Sequence, residues 1–200
     1  KVVIASPTFP WHDILGPISI RGIGATDPSY NVYQGSIRGY QFDPGEEVFV
    51  EFHVPHDYVP GSDLYIHSHW SVKQTTTAGA ATGAVTGGSV SWGYEVTYAK
   101  GHNQGAFIAP ITTTIAQNAS TTQYQHMIAE VQLSAASPSA AQLDSDNIEV
   151  DGLILVRCYL SANNMTVAAG SVPDPFLHMV DIHYQSTNIG TKQKAPNFYT

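Results

Sequence analysis

The sequence predicts an all-β chain: an antiparallel β-sandwich of the jelly-roll type with an extended N-terminal arm and no major helix. Three observations carry this. Apolar and polar residues alternate with period two in one segment after another, the mark of half-buried strands. Gly and Pro, 17 and 12 of the 200 residues, punctuate the chain between those segments. About eight short extended segments separated in this way favour two packed antiparallel sheets over a closed barrel.

The elements follow in chain order. Residues 1–45 carry Pro7, Pro10, Gly16, Pro17, Gly22, Gly24, Pro28, Gly35 and Gly39. Such spacing breaks regular structure every few residues, so this stretch is expected as an arm packed on the body. It has room for one or two short strands and is pinned by Phe9, Trp11, Ile14 and Leu15. The sandwich itself is expected over residues 46–189. Val48, Val50, Phe52 and Val54 alternate with Glu47, Phe49, Glu51 and His53, and Pro55–Gly61 turns the chain. In the next strand, Leu64 to about Val72, the residues Leu64, Ile66, Ser68 and Trp70 share one face. Tyr65, His67, His69 and Ser71 share the other.

Residues 75–89 contain only Thr, Ala, Gly, Val and Ser, which reads as a flexible loop or a protruding hairpin. As a loop, Thr75–Gly88 holds no charge and no aromatic. It then gains order only against a neighbouring subunit or a capsid surface. A strand from Ser89 to Ala99 places Val90, Trp92, Tyr94, Val96 and Tyr98 at alternate positions. Further extended segments are expected at Ile111–Ala116, Gln123–Leu133 and Ile148–Leu160. In the second of these, Tyr124, Met127, Ile128 and Val131 also fit helical spacing. In the third, Leu153–Val156 is a continuous apolar run, as in a strand buried on both faces. The last strand, Leu177 to about Gln185, places Leu177, Met179, Asp181 and His183 on one side. His178, Val180, Ile182 and Tyr184 take the other. Residues 190–200 are expected as a polar tail along the surface.

Composition narrows the function. Charged residues make up 12% of the chain, against about 25% in ordinary soluble domains, and the formal net charge is −8. Eight Lys and Arg, the densest pair being Lys192 and Lys194, are too few to neutralise a phosphate backbone or to hold an anionic membrane surface. No run approaches the roughly 20 apolar residues of a membrane span, and no signal-peptide pattern opens the chain. A single Cys158 excludes an intrachain disulfide framework. Sparse charge among many Ser, Thr, Asn, Gln and Tyr residues suits symmetric assembly. Beginning at Lys1 rather than Met, the chain is expected to be a processed product or a fragment.

Histidine is the chemical signature, with nine in the chain. His67 and His69, at i and i+2 on one strand, project from the same face and form the candidate metal pair. The competing reading makes them structural histidines hydrogen-bonded to their neighbours. With Gly61 six residues before, the spacing Gly-x5-His-x-His resembles the first half of the cupin motif. Gln74 stands where that motif needs Glu, and its second half has no match. His126, and the pair Asp181 and His183 on one strand face, are further candidates. No Gly-x-Ser-x-Gly elbow marks a nucleophile. Gly22-Ile23-Gly24-Ala25 lacks the helix and Lys of a phosphate loop. Glu46 and Glu47 point to opposite faces and form no acid–base pair. Trp92, Tyr94 and Tyr98 read either as a carbohydrate platform or as sandwich core.

Four phrases taken together add a family likeness: Pro10-Trp11-His12-Asp13-Ile14-Leu15-Gly16, Gly61 to Trp70, Trp92 to Gly101, and Asp181 to Thr187 with Gly190-Thr191-Lys192. This pattern resembles a group of tailed-bacteriophage virion structural proteins with a jelly-roll domain. The likeness runs from about Trp11 to Tyr199. It implies a non-enzymatic component of the virion: a capsid decoration or cement protein, a head fibre or a surface knob. Its implied partners are copies of itself, as a homotrimer, together with other virion proteins of capsid or tail. It brings no catalytic residues and no required cofactor. Two other readings stand beside it, a cupin-like metal-dependent enzyme using His67 and His69, and a module that binds host-surface glycan. In a trimer whose axis passed the Tyr65–Ser71 face, three copies of His67 and His69 would offer six imidazoles to one octahedral metal.

Overall fold

The computed structural model describes residues 8–20, 26–74 and 83–189. The Gly22–Ala25 motif, the first half of the low-complexity stretch and the tail from Gly190, with Lys192 and Lys194, lie outside the described residues. Those described form twelve strands: β1 (Trp11–Gly16), β2 (Ser29–Gln34), β3 (Ile37–Gln41), β4 (Glu47–His53), β5 (Tyr65–Val72), β6 (Val85–Ala99), β7 (Ile111–Asn118), β8 (Met127–Gln132), β9 (Ser134–Ala135), β10 (Leu143–Asp144), β11 (Leu153–Val167) and β12 (Pro175–Gln185). The helical element among the described residues is one 3-10 turn, Ser145–Asn147, and no helix there is long and apolar enough to cross a membrane.

Two antiparallel sheets form the body. One runs β2-β3-β12-β5-β8, with β1 also paired to β12; the other runs β4-β11-β6-β7. Apart from the β6–β7 hairpin, the chain from β3 onward passes between the sheets at each long strand, so β3-β12-β5-β8 faces β4-β11-β6-β7, the jelly-roll arrangement of eight strands in two sheets. β3 and β1 divide one side of β12: β3 pairs its first residues, and β1 pairs Val180–Gln185. Beyond β1 the chain changes sheets, and Ser19 bridges to Phe49 of β4.

The period-two pattern explains the core. Val48, Val50 and Phe52 of β4, Ile66 and Trp70 of β5, Val90, Trp92, Tyr94 and Val96 of β6, and Ile154, Val156, Cys158 and Leu160 of β11 are all buried between the sheets. Trp92 and Tyr94 are fully buried and Tyr98 nearly so, which removes them as a carbohydrate platform.

Several boundaries and facings differ from the sequence expectation. β6 starts at Val85, not Ser89, so part of the low-complexity stretch is strand. Gly88 permits this by adopting φ +85, where an added Cβ would meet the Asn164 carbonyl oxygen at 2.2 Å. The Gln123–Leu133 ambiguity resolves to a strand, with Tyr124 in the left-handed region just before it. β11 begins at Leu153 and continues to Val167, paired with the lengthened β6. Its apolar run is buried on one face only, Leu153 and Leu155 being half-buried on the other. In β12 the register shifts between Leu177 and Met179. That bulge puts Leu177 in the core together with Val180 and Ile182, on the opposite side from Asp181. Leu15 does not pin the N-terminal segment: it is 63% exposed, while Ile14 packs on the core and Gly16 is buried.

Candidate functional site

Strand β5 places Ile66, Ser68 and Trp70 in the core, so His67 and His69 lie on the outer face of the six-stranded sheet. Register brings them partners no local pattern shows. His67 stands opposite Asp181 on β12 and Glu130 on β8, and His183 stands opposite Tyr65 on β5 and Asp13 on β1. His67, His69 and Asp181 are buried within the one chain, His67 and Asp181 to 2% exposure.

The polar contacts form one connected layer. His67 Nε2 donates to Glu130 Oε2 at 2.7 Å. His69 Nε2 donates to Asp181 Oδ1 at 3.2 Å, and its Nδ1 is hydrogen-bonded to His126 Nε2 at 2.8 Å. His183 Nε2 is joined to the Asp13 carboxylate. The His67 and His183 rings meet edge to face with centroids 3.8 Å apart, whereas those of His67 and His69 are 6.0 Å apart. His67 Nδ1 is buried with no hydrogen bond, and Asp181 Oδ1 lies 3.4 Å away. One ligand atom each from His67, Asp181 and His183 falls within 4.8 Å of the others. His69, the second member of the sequence pair, serves the carboxylate of that group instead. Gln74 turns away to donate to the Thr121 carbonyl at 3.0 Å and accept from the Val85 amide.

At one corner of this face, His178 Nε2 meets Ser71 Oγ at 2.7 Å, and Tyr33 OH meets the same hydroxyl at 2.6 Å. Partial burial, and then the charges of His126 and His69, hold His178 below the ordinary histidine value. Elsewhere His53, His56 and His102 surround Asp151 at 3.3, 2.9 and 2.7 Å. Burial alone would raise the Asp151 carboxyl; the His102 hydrogen bond and the three histidine charges outweigh it and hold the group low.

The outer face of the four-stranded sheet carries a groove of about 430 Å³ lined by Phe49, Glu51, Glu95, Leu155, Arg157 and Pro110 among others. Arg157 pairs there with Glu47 and, at 3.2 Å, with Glu95. The β7 edge adjoins this groove, Glu95 standing opposite Thr112. Gly101 to Ala129 contains no Asp, Glu, Lys or Arg. Within that segment Phe107, Ile108 and Ile128 are 45%, 43% and 42% exposed. The segment is well fixed: Ile108 N donates to the Tyr98 carbonyl at 3.0 Å, and Gln117 Nε2 to the Ile128 carbonyl at 2.7 Å. Gln117 Oε1 accepts from the Trp70 indole at 2.7 Å, so this one side chain joins β7, β8 and the core.

No family model and no curated protein matches the chain. Among solved structures it is similar to the receptor-binding domain of the spike protein P1 from bacteriophage PM2, at 12% identity over 83% of this chain and 98% of that one, with a TM-score of 0.34. It is also similar to the C-terminal family 22 carbohydrate-binding module of Clostridium thermocellum Xyn10B, at 13% identity over 90% and 87%, with a TM-score of 0.26. At these scores neither likeness bears on function.

Proposed function

We propose that this chain is a non-enzymatic structural component of a phage particle, a capsid-decoration or cement protein or a surface knob. It works as a homotrimer that seats against neighbouring virion proteins. The phage setting rests on the sequence likeness, and the observation that carries the docking role is the exposed β7 edge, in a segment from Gly101 to Ala129 without Asp, Glu, Lys or Arg. Protein–protein interfaces are depleted of charge at their centres and enriched in aromatic residues. Here Phe107 and Ile108 are exposed, Ile108 N donating to the Tyr98 carbonyl, and β7 continues the segment with exposed Thr112, Thr114 and Ala116. A strand already held in a sheet needs little ordering on contact, which lowers the entropic cost of association.

Co-sedimentation with particles lacking the protein tests this. The parent chain should bind and run as a trimer by native mass. Phe107→Asp and Thr114→Lys, both at exposed positions, should fold normally and fail to bind. Normal binding by both variants would overturn the reading.

The groove on the four-stranded sheet favours a second reading, glycan binding. Glu51, Glu95 and Arg157 offer hydroxyl-directed hydrogen bonds beside the apolar surface of Phe49 and Leu155. Glycan-array binding lost in Glu51→Gln and kept in Phe107→Asp would support it.

A further inference from the structure

We propose that the outer face of the six-stranded sheet holds one divalent transition-metal ion of the zinc class on His67, Asp181 and His183. His67 Nε2 is the donor to Glu130, so in the neutral ring Nδ1 carries a lone pair. That lone pair confronts Asp181 Oδ1, itself an acceptor, at 3.4 Å in a place 2% exposed, and no hydrogen bond joins the two. Two buried acceptors facing one another repel unless a cation lies between them. Zinc–nitrogen and zinc–oxygen bonds of about 2.0–2.1 Å in a tetrahedron put donor atoms roughly 3.3–3.4 Å apart, which is the separation found.

Three further features fit. His183 brings a third donor within 4.8 Å of the other two, with its ring edge-on to His67. Both imidazoles give Nε2 to a carboxylate, His67 to Glu130 and His183 to Asp13, leaving Nδ1 for the ion. Carboxylates behind metal-bound histidines fix the tautomer and make the ring a better ligand. His69 fixes Asp181 in the same way, as a donor at 3.2 Å. Two imidazoles and one carboxylate suit zinc and its neighbours in the first transition row rather than calcium or magnesium. His183 is 35% exposed and marks the way in, and a fourth position stays open to water on that side. Such an ion would tie β5 to β12 directly, and to β8 and β1 through Glu130 and Asp13. It is a site independent of the docking side along β7.

Chelator-stripped protein titrated with zinc in competition with a chromophoric chelator tests the assignment. One equivalent per chain should bind, and His183→Gln should weaken binding by at least about tenfold, the lower end of what loss of even an orienting partner produces. A triple His53, His56 and His102 to Ala variant, which removes the cluster around Asp151, should bind as the parent does. In the unmodified protein, cobalt(II) should broaden the ring resonances of His67 and His183 and spare those of His53, His56 and His102. Absence of binding by the stripped parent would overturn the proposal. So would equal affinity in His183→Gln, or loss confined to the triple variant.

Discussion

Ser68 of β5 and Tyr94 of β6 are joined hydroxyl to hydroxyl at 2.7 Å across the middle of the sandwich, both fully buried. A serine in a row of Ile66 and Trp70 would leave an unsatisfied hydroxyl in the core without that partner. The pair therefore fixes how the two sheets face one another as well as satisfying itself. Tyr94→Phe removes the bond and leaves Ser68 with the Cys158 sulfur at 3.6 Å. Chemical denaturation should show a loss of about 1 kcal/mol, with the slope of the transition unchanged.

Cys158 sits in the same place. Burial pushes its thiol up to about 12, against a smaller lowering by Ser68. The thiolate is the reactive form, so a thiol reagent at neutral pH should leave the native protein unmodified. Labelling should then follow the unfolding transition in denaturant. Rapid labelling of the native chain would contradict the packing described.

Gly16 is where the chain leaves β1 for the other sheet. A Cβ there would lie 2.0 Å from Val50 Cγ1 and 2.7 Å from the Phe52 ring, both in the core. Gly16→Ala should destabilise by about 1–3 kcal/mol, the usual range for overpacking. Gly35 makes a useful contrast: an added methyl would have no neighbour within 4 Å, but φ is +59, so any loss in Gly35→Ala comes from backbone strain alone.

Asp174 gives a pH signature. Burial, and then the Asp43 charge and hydrogen bond, push its carboxyl from 3.8 to about 6. Between those values the native state keeps a proton that the unfolded chain has released, so stability falls as pH rises through the window. Above it, the buried charge is a full penalty. Asp174→Asn should raise stability by about 1–2 kcal/mol at pH 7 after allowance for solvent screening. Thermal denaturation across pH should show that gain vanish by roughly pH 4.

Much of the sandwich was legible because single strands carry their own signal. Val48 to Val54 and Val90 to Tyr98 alternate so regularly that the core face of β4 and β6 follows directly. The bulge in β12 was not legible: Leu177 and Asp181 have the same parity in sequence, and the register shift after Leu177 lies in the pairing with β5. The same limit applies to the histidines. That His67 and His69 share a face follows from period two. That Asp181 and Glu130 flank His67 depends on which strands lie beside β5 and in what register. Leu15 shows the reverse failure, an apolar residue expected to anchor and found on the outer face.

Hydrogen exchange on the chain alone and on the chain assembled in particles tests the docking role most directly. Added protection is expected from Gly105 through Asn118 on assembly, with the groove residues Glu51 and Leu155 unchanged. Protection confined to the groove, with the segment from Gly105 to Asn118 exchanging as fast as in the free chain, would contradict it.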